Sequence, residues 1–518
     1  MLYLLLGCAF AFALFNVLLI IYRSTLHPLS KFPGPKLATC SYLYEFWFDI
    51  VQNGRYTHEI ARLHKIYGPI IRINPDELHC DDASFVDEVY ASGKRKRNKP
   101  QHFLAGFPGN AHLGVTLTGD HDLHRLRRGS INKFFSRSQV TQLEHLVKHN
   151  AEKLCNKIIS SRDGHPFDLW NLYSCFTADV ITEYCFGESS GFLDRPPWEP
   201  NYRSSVNALF RPAHLFRHFP WLKYPADLIP LCVLRWISQD LELLARDFSV
   251  TIPQRIRLAK ATTTSLLKSQ RPTIFSSLLT SDLPDSEKSI KRLTGEATAI
   301  MVAGTETVAL TLSLYTFYLL SNPTVYKSVR NELLSIVPES STFPSWHTLE
   351  KQPYLTAVLL ETLRLGNNVP GRSPRTATEE DLIYRGSWLP EGTSRPVSVC
   401  HVIPRGYAIG MSPYILHTND TLFPNPHEFD PSRWLQDGNI NRELERHLFS
   451  FSKGSRMCVG IQLAWCELYI GAAMLTLRVF PFVKLYKTSL VDVQYDHDEV
   501  IAKPSAESKG IRISMVAQ

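Results

Sequence analysis

One stretch holds residue types whose order suits metal chemistry: Phe451-Ser-Lys-Gly454-Ser-Arg456-Met-Cys458-Val-Gly460. It reads F-x-x-G-x-R-x-C-x-G and runs straight into an apolar helical segment, Ile461 to Phe480. A cysteine in a glycine-bracketed loop at a helix N-terminus faces backbone N–H groups and the positive end of the helix dipole. Both favour the thiolate, the form of cysteine that binds metal. Gly454 and Gly460 let the backbone pass close to a flat partner, as residues with a Cβ could not. Arg456, two residues before the sulfur, can neutralise an anionic group at that partner's edge. Most cysteines after a loop are structural, so the reading gains weight only from the motifs that accompany it. Cys466 suits neither a C-x-x-C zinc knuckle nor a redox pair and reads as buried packing.

The second stretch is Ala303-Gly304-Thr305-Glu306-Thr307, in the middle of a nearly uncharged helical run from Leu293 to Leu320. Glycine in mid-helix costs about 1 kcal/mol relative to alanine. A reason for it would be a planar cofactor and bound oxygen lying against the backbone. An acid beside a hydroxyl in an apolar helix offers a proton route, and a threonine hydroxyl can bond to a carbonyl one turn back and open the helix locally. The third motif, Glu361-Thr-Leu-Arg364, puts acid and base on one face of a helix from Pro353 to Leu365. Pro431-Ser-Arg433-Trp434 follows it.

In this order the motifs resemble those of the cytochrome P-450 family, and the resemblance covers essentially the whole chain. It implies heme b with Cys458 as its axial thiolate, a ligand that pushes electron density towards O–O cleavage. It also implies that Phe451, Arg456, Gly460, Ala303 and Gly304 border the haem. Glu306 and Thr307 would be the acid–alcohol pair that delivers protons for heterolytic cleavage. A buried carboxylate, Glu361, held by Arg364 and Arg433, would lock the meander that leads to the haem loop. In His121-Asp-Leu-His124-Arg125-Leu-Arg127-Arg128 the family's helix often reads W-x-x-x-R, with both positions reaching the haem propionates. Here His124 stands where Trp is common and Arg128 keeps its place; histidine can still donate a hydrogen bond. Arg125 and Arg127 read equally well as a solvated helix face. The phrasing at Phe32-Pro-Gly-Pro and Tyr67-Gly-Pro is most similar to microsomal enzymes of filamentous-fungal secondary metabolism, including the trichodiene-oxygenase-like group.

These residues need a scaffold. The 518-residue chain is 44% hydrophobic and 20% charged, with no linker or repeat to divide it. The resemblance implies a mainly α fold with a small β region (α+β), the cytochrome P-450 fold behind an N-terminal transmembrane helix. Met1 to Tyr22 carries no charge and is long enough to span a bilayer. A cleaved signal peptide would start with a positive region. The positive residues Arg23, Lys31 and Lys36 come afterwards, which places the body on the cytoplasmic side. The expected division is an anchor at 1–22, a proline-rich extended hinge at 23–40 and a catalytic domain at 41–518. Tyr67 to Leu78 reads as two strands joined at Asn74-Pro75, and Val140 to Ser161 and Leu169 to Phe186 as amphipathic helices. His102 to Gly119 reads as a glycine-rich loop. Asn201 to Trp236, rich in Phe, Pro, Leu and Trp, could cap an apolar pocket, dip into a membrane surface or be ordinary core. Two turns, Leu389-Pro-Glu-Gly392 and Ile403-Pro-Arg-Gly406, stand where the family shows one, so 387–401 reads as an insertion: a surface loop or a retained intron. The tail has a turn near Pro504 and a last strand near Gly510.

The net charge of +7 comes without a nucleic-acid motif, which favours anionic lipid or an acidic protein partner over nucleic acid. Ten cysteines without paired spacing fit a reducing compartment. The resemblance implies a monooxygenase that inserts one atom of O2 into an apolar secondary metabolite, a terpenoid or polyketide, by hydroxylation or epoxidation. Electrons would come from NADPH through NADPH-cytochrome P-450 reductase, with cytochrome b5 as a second donor. Arg127 and Lys453 would suit an acidic reductase. The location implied is the endoplasmic reticulum membrane, single-pass. Two rivals stay open: an O2-independent haem-thiolate isomerase or dehydratase, and an inactive tethered protein if 387–401 disrupts the site.

Overall fold

A computed structural model describes the chain except residues 108, 162–164, 197, 199–201, 228, 266–272, 338–342, 391–392 and 517–518. Among the described residues three helices are long and apolar enough to cross a membrane. Two of them, Ile290–Ser321 and Ile461–Phe482, are 78% buried inside the protein and form its core, whereas Leu2–Thr25 (α1) has no buried residue. Burial therefore singles out α1 as the candidate membrane span, which ends three residues past the uncharged stretch. The hinge differs from expectation. Leu29 and Phe32 are buried against Ile70 and Leu78, turns close at Ser30 and Phe32, and Pro33 O accepts from Arg72 N at 2.7 Å. A Cβ at Gly34 would come within 2.3 Å of Arg72 O. The proline-rich segment is thus glued to the sheet rather than extended as a spacer, because its two apolar side chains gain more from burial than from water.

Five helices build the scaffold of the site: His121–Asn132 (α2), Leu169–Phe186 (α3), Ile290–Ser321 (α4), Pro353–Gly366 (α5) and Ile461–Met474 (α6). The long α4 runs through the centre and packs on α3, α5 and α6. Its near-continuous apolar sequence follows from this: a helix buried on every side needs no polar face. The same holds for α3, which buries fifteen of its eighteen residues and is not the amphipathic helix expected. Asp120 caps α2, its carboxylate accepting from Leu123 N at 2.8 Å. The segment 102–119 is a run of short helical turns, among them Gln101–Leu104 and Val115–Leu117, rather than an open loop.

The β region is a five-stranded sheet in the order β1 (Ile70–Asn74), β2 (Glu77–Cys80), β7 (Ala408–Gly410), β4 (Arg375–Ala377), β3 (Arg97–Asn98). The strands β1 and β2 turn at Asn74-Pro75 as their sequence indicates. The segment 387–401 lies in a hairpin. Strand β5 (Leu382–Trp388) pairs antiparallel with β6 (Val397–Ile403) in unbroken register from Leu382–Ile403 to Trp388–Val397. This hairpin lies on the surface, with Leu389, Val397 and Cys400 exposed. Trp388 rests on Gly68, where a Cβ would meet it at 3.1 Å. The turn at Gly392 lies outside the described residues. The hairpin is built from strands apart from α4 and α6, the helices that carry the acid–alcohol pair and follow the thiol loop. Near the C-terminus, His497–Glu499 (β8) and Ile501–Lys503 (β9) form a second hairpin.

Candidate functional site

The thiol loop is positioned by backbone contacts. Cys458 N donates to Phe451 O at 2.9 Å, and Met457 N donates to Gly454 O at 3.1 Å. Gly454 has φ +72°, and a Cβ there would come within 1.9 Å of Tyr90 O. That glycine is required by the neighbouring chain, not by a flat partner. At Gly460 φ is negative and a Cβ would meet no protein atom within 4 Å, so the protein itself sets no demand for glycine there. Phe451 lies beside Trp465, ring centroids 5.8 Å apart. The Cys458 side chain is exposed rather than packed into the core. Burial pushes the thiol up, against the opposing pull of the Gly460 N–H and Arg128. The helix end alone therefore does not produce a thiolate, contrary to the expectation from sequence; a bound metal must complete the deprotonation.

Around this thiol stands a group of basic side chains, of which Lys99, Arg375 and Arg456 pair with no carboxylate among the described residues. Arg456 donates to Gly119 O at 2.7 Å, to Asp120 O at 3.1 Å and to Thr118 O. Burial, then Arg375, pushes it down to about 9. Arg375 is buried and donates only to Ser373 and Pro374, at 3.0 to 3.2 Å. Lys99 donates to Thr116 O at 2.7 Å and is pushed far down by burial, Arg375 and Arg456. His124 is buried and driven to about 2 by burial, then Arg456, Lys99 and Arg128, so it is neutral. Arg128 reaches across to Met457 O at 2.7 Å. The buried Nε atoms of Arg375 and Arg456 have no hydrogen-bond partner, and no carboxylate pairs with Lys99, Arg375 or Arg456 among the described residues. Buried charges of one sign are costly unless an opposite charge arrives. The two propionates of a haem would supply it, so the donor set fits that group.

The expected residues Arg456, His124 and Arg128 are thus brought together with Cys458. Lys99, directly after β3, and Arg375, in its partner strand β4, join them, a contribution that no spacing rule in the sequence reveals. Arg127 does neither of the things weighed for it. It is buried and paired with Glu287 at 2.7 Å, in a network with Arg292 and Glu296, so it cannot face a reductase.

On α4, Ala303 is exposed, and Gly304 and Thr307 are half-buried. Thr307 Oγ1 donates to Ala303 O at 2.9 Å. Gly304 points the other way: a Cβ would come within 2.9 Å of Ile181 on α3, so helix packing is the reason for that glycine. Glu306 is buried and also turned towards α3, where Ser174 Oγ donates to it at 3.3 Å. Burial pushes its carboxyl up, and Arg203 and Lys503 pull it down. Neighbours on a helix point about 100° apart, so acid and hydroxyl form no hydrogen-bonded unit of their own.

Glu361 and Arg364 are both fully buried. The carboxylate accepts from Arg364 Nε and Nη2 at 2.8 Å, Arg433 Nε at 3.1 Å, Trp434 Nε1 at 2.9 Å and Asp430 N at 3.0 Å. Arg364 also holds His417 O at 2.9 Å, and His417 Nε2 accepts from Phe449 N at 2.9 Å, two residues before Phe451. The triad is therefore tied by hydrogen bonds to the start of the thiol loop.

A helical body with a small sheet, and a thiol loop beside basic side chains that lack carboxylate partners among the described residues, suit a haem-thiolate protein. The chain belongs to the cytochrome P-450 family: that family's sequence profile matches residues 35–506. It is a monooxygenase of fungal secondary-metabolite type, with haem and a cysteine thiolate as the family's cofactor. It is 46% identical to the cytochrome P-450 monooxygenase ppzE of Metarhizium majus, over 85% of this chain and 93% of that one. It is 37% identical to tryptophan 6-hydroxylase fscE of Fusarium equiseti, over 96% and 94%, and 34% identical to the monooxygenase TRI4 of Trichoderma arundinaceum, over 93% and 90%.

The cation group makes a prediction. Arg375→Leu should leave the haem-free protein as stable or more so, since it removes a buried unpaired charge. Haem affinity should fall by more than about tenfold, because a bound propionate loses its buried partner. Thermal melts with and without haem, together with a haem titration, read both effects.

Proposed function

We propose that Cys458 is the proximal ligand and that Arg456, Arg375, Lys99, His124 and Arg128 hold the propionates. Phe451 and Gly460 flank the thiolate side, and Ala303 and Thr307 border the opposite, oxygen-binding side. The observation that carries this reading is the cation group beside an open thiol. The haem, when bound, supplies the activation of O2. This chain's residues then handle protons: Thr307 offers its hydroxyl at the interior face, and Glu306, whose carboxyl burial pushes up from its ordinary value, stands one residue behind it as the source. Lys503, pushed down to about 8 by burial, and Arg203 lie beside Glu306 and bias its charge.

The substrate is an apolar secondary metabolite, terpenoid or polyketide, and the reaction a hydroxylation or epoxidation. A tryptophan hydroxylase among the relatives favours an aromatic, indole-bearing substrate as the second reading. Electrons come from NADPH through its flavoprotein reductase, with cytochrome b5 as a further donor. These dock on the thiolate face, where Lys453, Arg446 and Arg125 are the cations within reach of solvent. The domain plan is an anchor at 1–22 continued by helix to Thr25, a linker at 23–40 folded onto the sheet, and a catalytic domain at 41–518. The anchor crosses the endoplasmic reticulum membrane once. Trp221, Tyr224 and Trp236, 62%, 75% and 91% exposed, rest on the same bilayer.

The difference spectrum of the reduced protein with and without carbon monoxide tests this. A strongly red-shifted Soret band is expected. A band at the wavelength of a neutral ligand would overturn the assignment of Cys458. Turnover without NADPH or O2 would favour the isomerase instead.

A further inference from the structure

The turn of α4 that carries Thr307 is held from outside the helix by one side chain. Asn368 Nδ2 donates to Thr307 O at 2.9 Å and to Thr311 Oγ1 at 2.8 Å, while Thr311 Oγ1 donates to the same carbonyl at 2.9 Å. A carbonyl oxygen has two lone pairs. Two side-chain donors on Thr307 O therefore compete with the ladder bond from Thr311 N. The amide orientation is fixed, because only the nitrogen can donate to a carbonyl.

Asn368 is itself anchored on two further sides. Its backbone O accepts from Ala502 N in β9 at 3.0 Å. Before it, Asn367 takes a left-handed conformation, φ +42°, which asparagine tolerates and which turns the chain directly after α5. Asn367 Oδ1 lies 3.2 Å from His417 Nδ1, and His417 is the group that binds Phe449 N ahead of the thiol loop. Hydrogen bonds link Phe449, ahead of the thiol loop, through His417 to Asn367, and the next residue in the chain, Asn368, bonds to Thr307 O.

We propose that Asn368 is a positioning residue for the Thr307 hydroxyl: its amide draws the Thr307 carbonyl out of the helical ladder and so sets where the proton-delivering hydroxyl stands. This rests on the reading of Thr307 given above. Without the clasp the ladder bond at Thr311 closes and the Ala303–Thr307 turn relaxes towards regular helix.

The test uses the haem-loaded full chain and cumene hydroperoxide, which needs neither substrate nor reductase. Heterolysis sends both O–O electrons to the cumyl oxygen, which takes up a proton and leaves as 2-phenyl-2-propanol. Homolysis leaves a cumyloxyl radical, which loses a methyl radical to give acetophenone. Asn368→Leu, similar in size but without a donor, should raise the ratio of acetophenone to alcohol by about fivefold, the effect of one lost hydrogen bond. Asn368→Gln, which keeps the donor, should restore part of it. In a Thr307→Ala background Asn368→Leu should add nothing. Hydrogen exchange gives a readout apart from turnover: the Thr311 amide should exchange more slowly in Asn368→Leu. Faster exchange, or product shifts that add in the double variant, would mean that Asn368 is only a tie between elements. If Thr307→Ala alone leaves the product ratio unchanged, the reading of Thr307 fails instead. A red-shifted carbon monoxide band in each variant keeps both outcomes separate from loss of the thiolate.

Discussion

Glu361→Ala is expected to yield a chain that barely holds its fold and does not retain haem. The carboxylate is fully buried and receives five hydrogen bonds from Arg364, Arg433, Trp434 and Asp430. Removing it strands the Arg364 guanidinium, itself fully buried, beside a second one from Arg433. Breaking a buried pair by deleting one partner costs about 3–5 kcal/mol. A folded domain has only about 5–15 kcal/mol in all. The loss is local as well as global. Arg364 is the group that holds His417 O and Pro426 O, at 2.9 and 2.6 Å, so the meander and the start of the thiol loop loosen together. Chemical denaturation of the haem-free protein should show the lower midpoint, and the purified protein should carry little haem. Arg433→Ala should be milder, since Arg433 lies nearer the surface and its loss still leaves Glu361 with Arg364. Equal stability of Glu361→Ala and wild type would mean that the network contributes specificity but little energy.

The second large effect is at Cys458, and here stability and function should separate. Cys458→Ala is expected to abolish the red-shifted carbon monoxide band while leaving the haem-free protein within about 0.5 kcal/mol of wild type. The side chain is exposed rather than packed into the core, and the backbone bond from Cys458 N to Phe451 O survives the change. Relief from a thiol that burial pushes towards its neutral form costs nothing in the haem-free state. Parallel melts and spectra check both halves. A variant that melts far below wild type would mean that the sulfur is a packing element, and a retained red-shifted band would move the ligand elsewhere.

Much of the site was legible because its motifs are local in sequence. The thiol loop, the acid–alcohol pair on a long apolar helix and the Glu361–Arg364 pair each lie within ten residues, so helix geometry and loop chemistry act on them directly. Their order along the chain carried the resemblance, and the resemblance carried the fold. The charge-free N-terminus marked the candidate anchor for the same reason: twenty-odd apolar residues have one physical use when nothing in the fold covers them.

What only the tertiary structure decided is which way side chains point and what meets across long separations. Gly304 and Gly454 were read as room for a cofactor, yet Ile181 and Tyr90 fill the space beside them. Arg127 and Arg128 are neighbours in sequence, but one is sealed in a pair with Glu287 while the other reaches the thiol loop. Lys99, Arg375 and Asn368 sit in no motif, because their roles arise from strand pairing and from a loop crossing to α4. The proline-rich linker settled onto the sheet through burial of Leu29 and Phe32, and half-buried Trp388 of the hairpin rests on Gly68. Sequence spacing specifies neighbours a helical turn apart; contacts between residues a hundred positions apart depend on how apolar faces pack, and packing exists only in the folded chain.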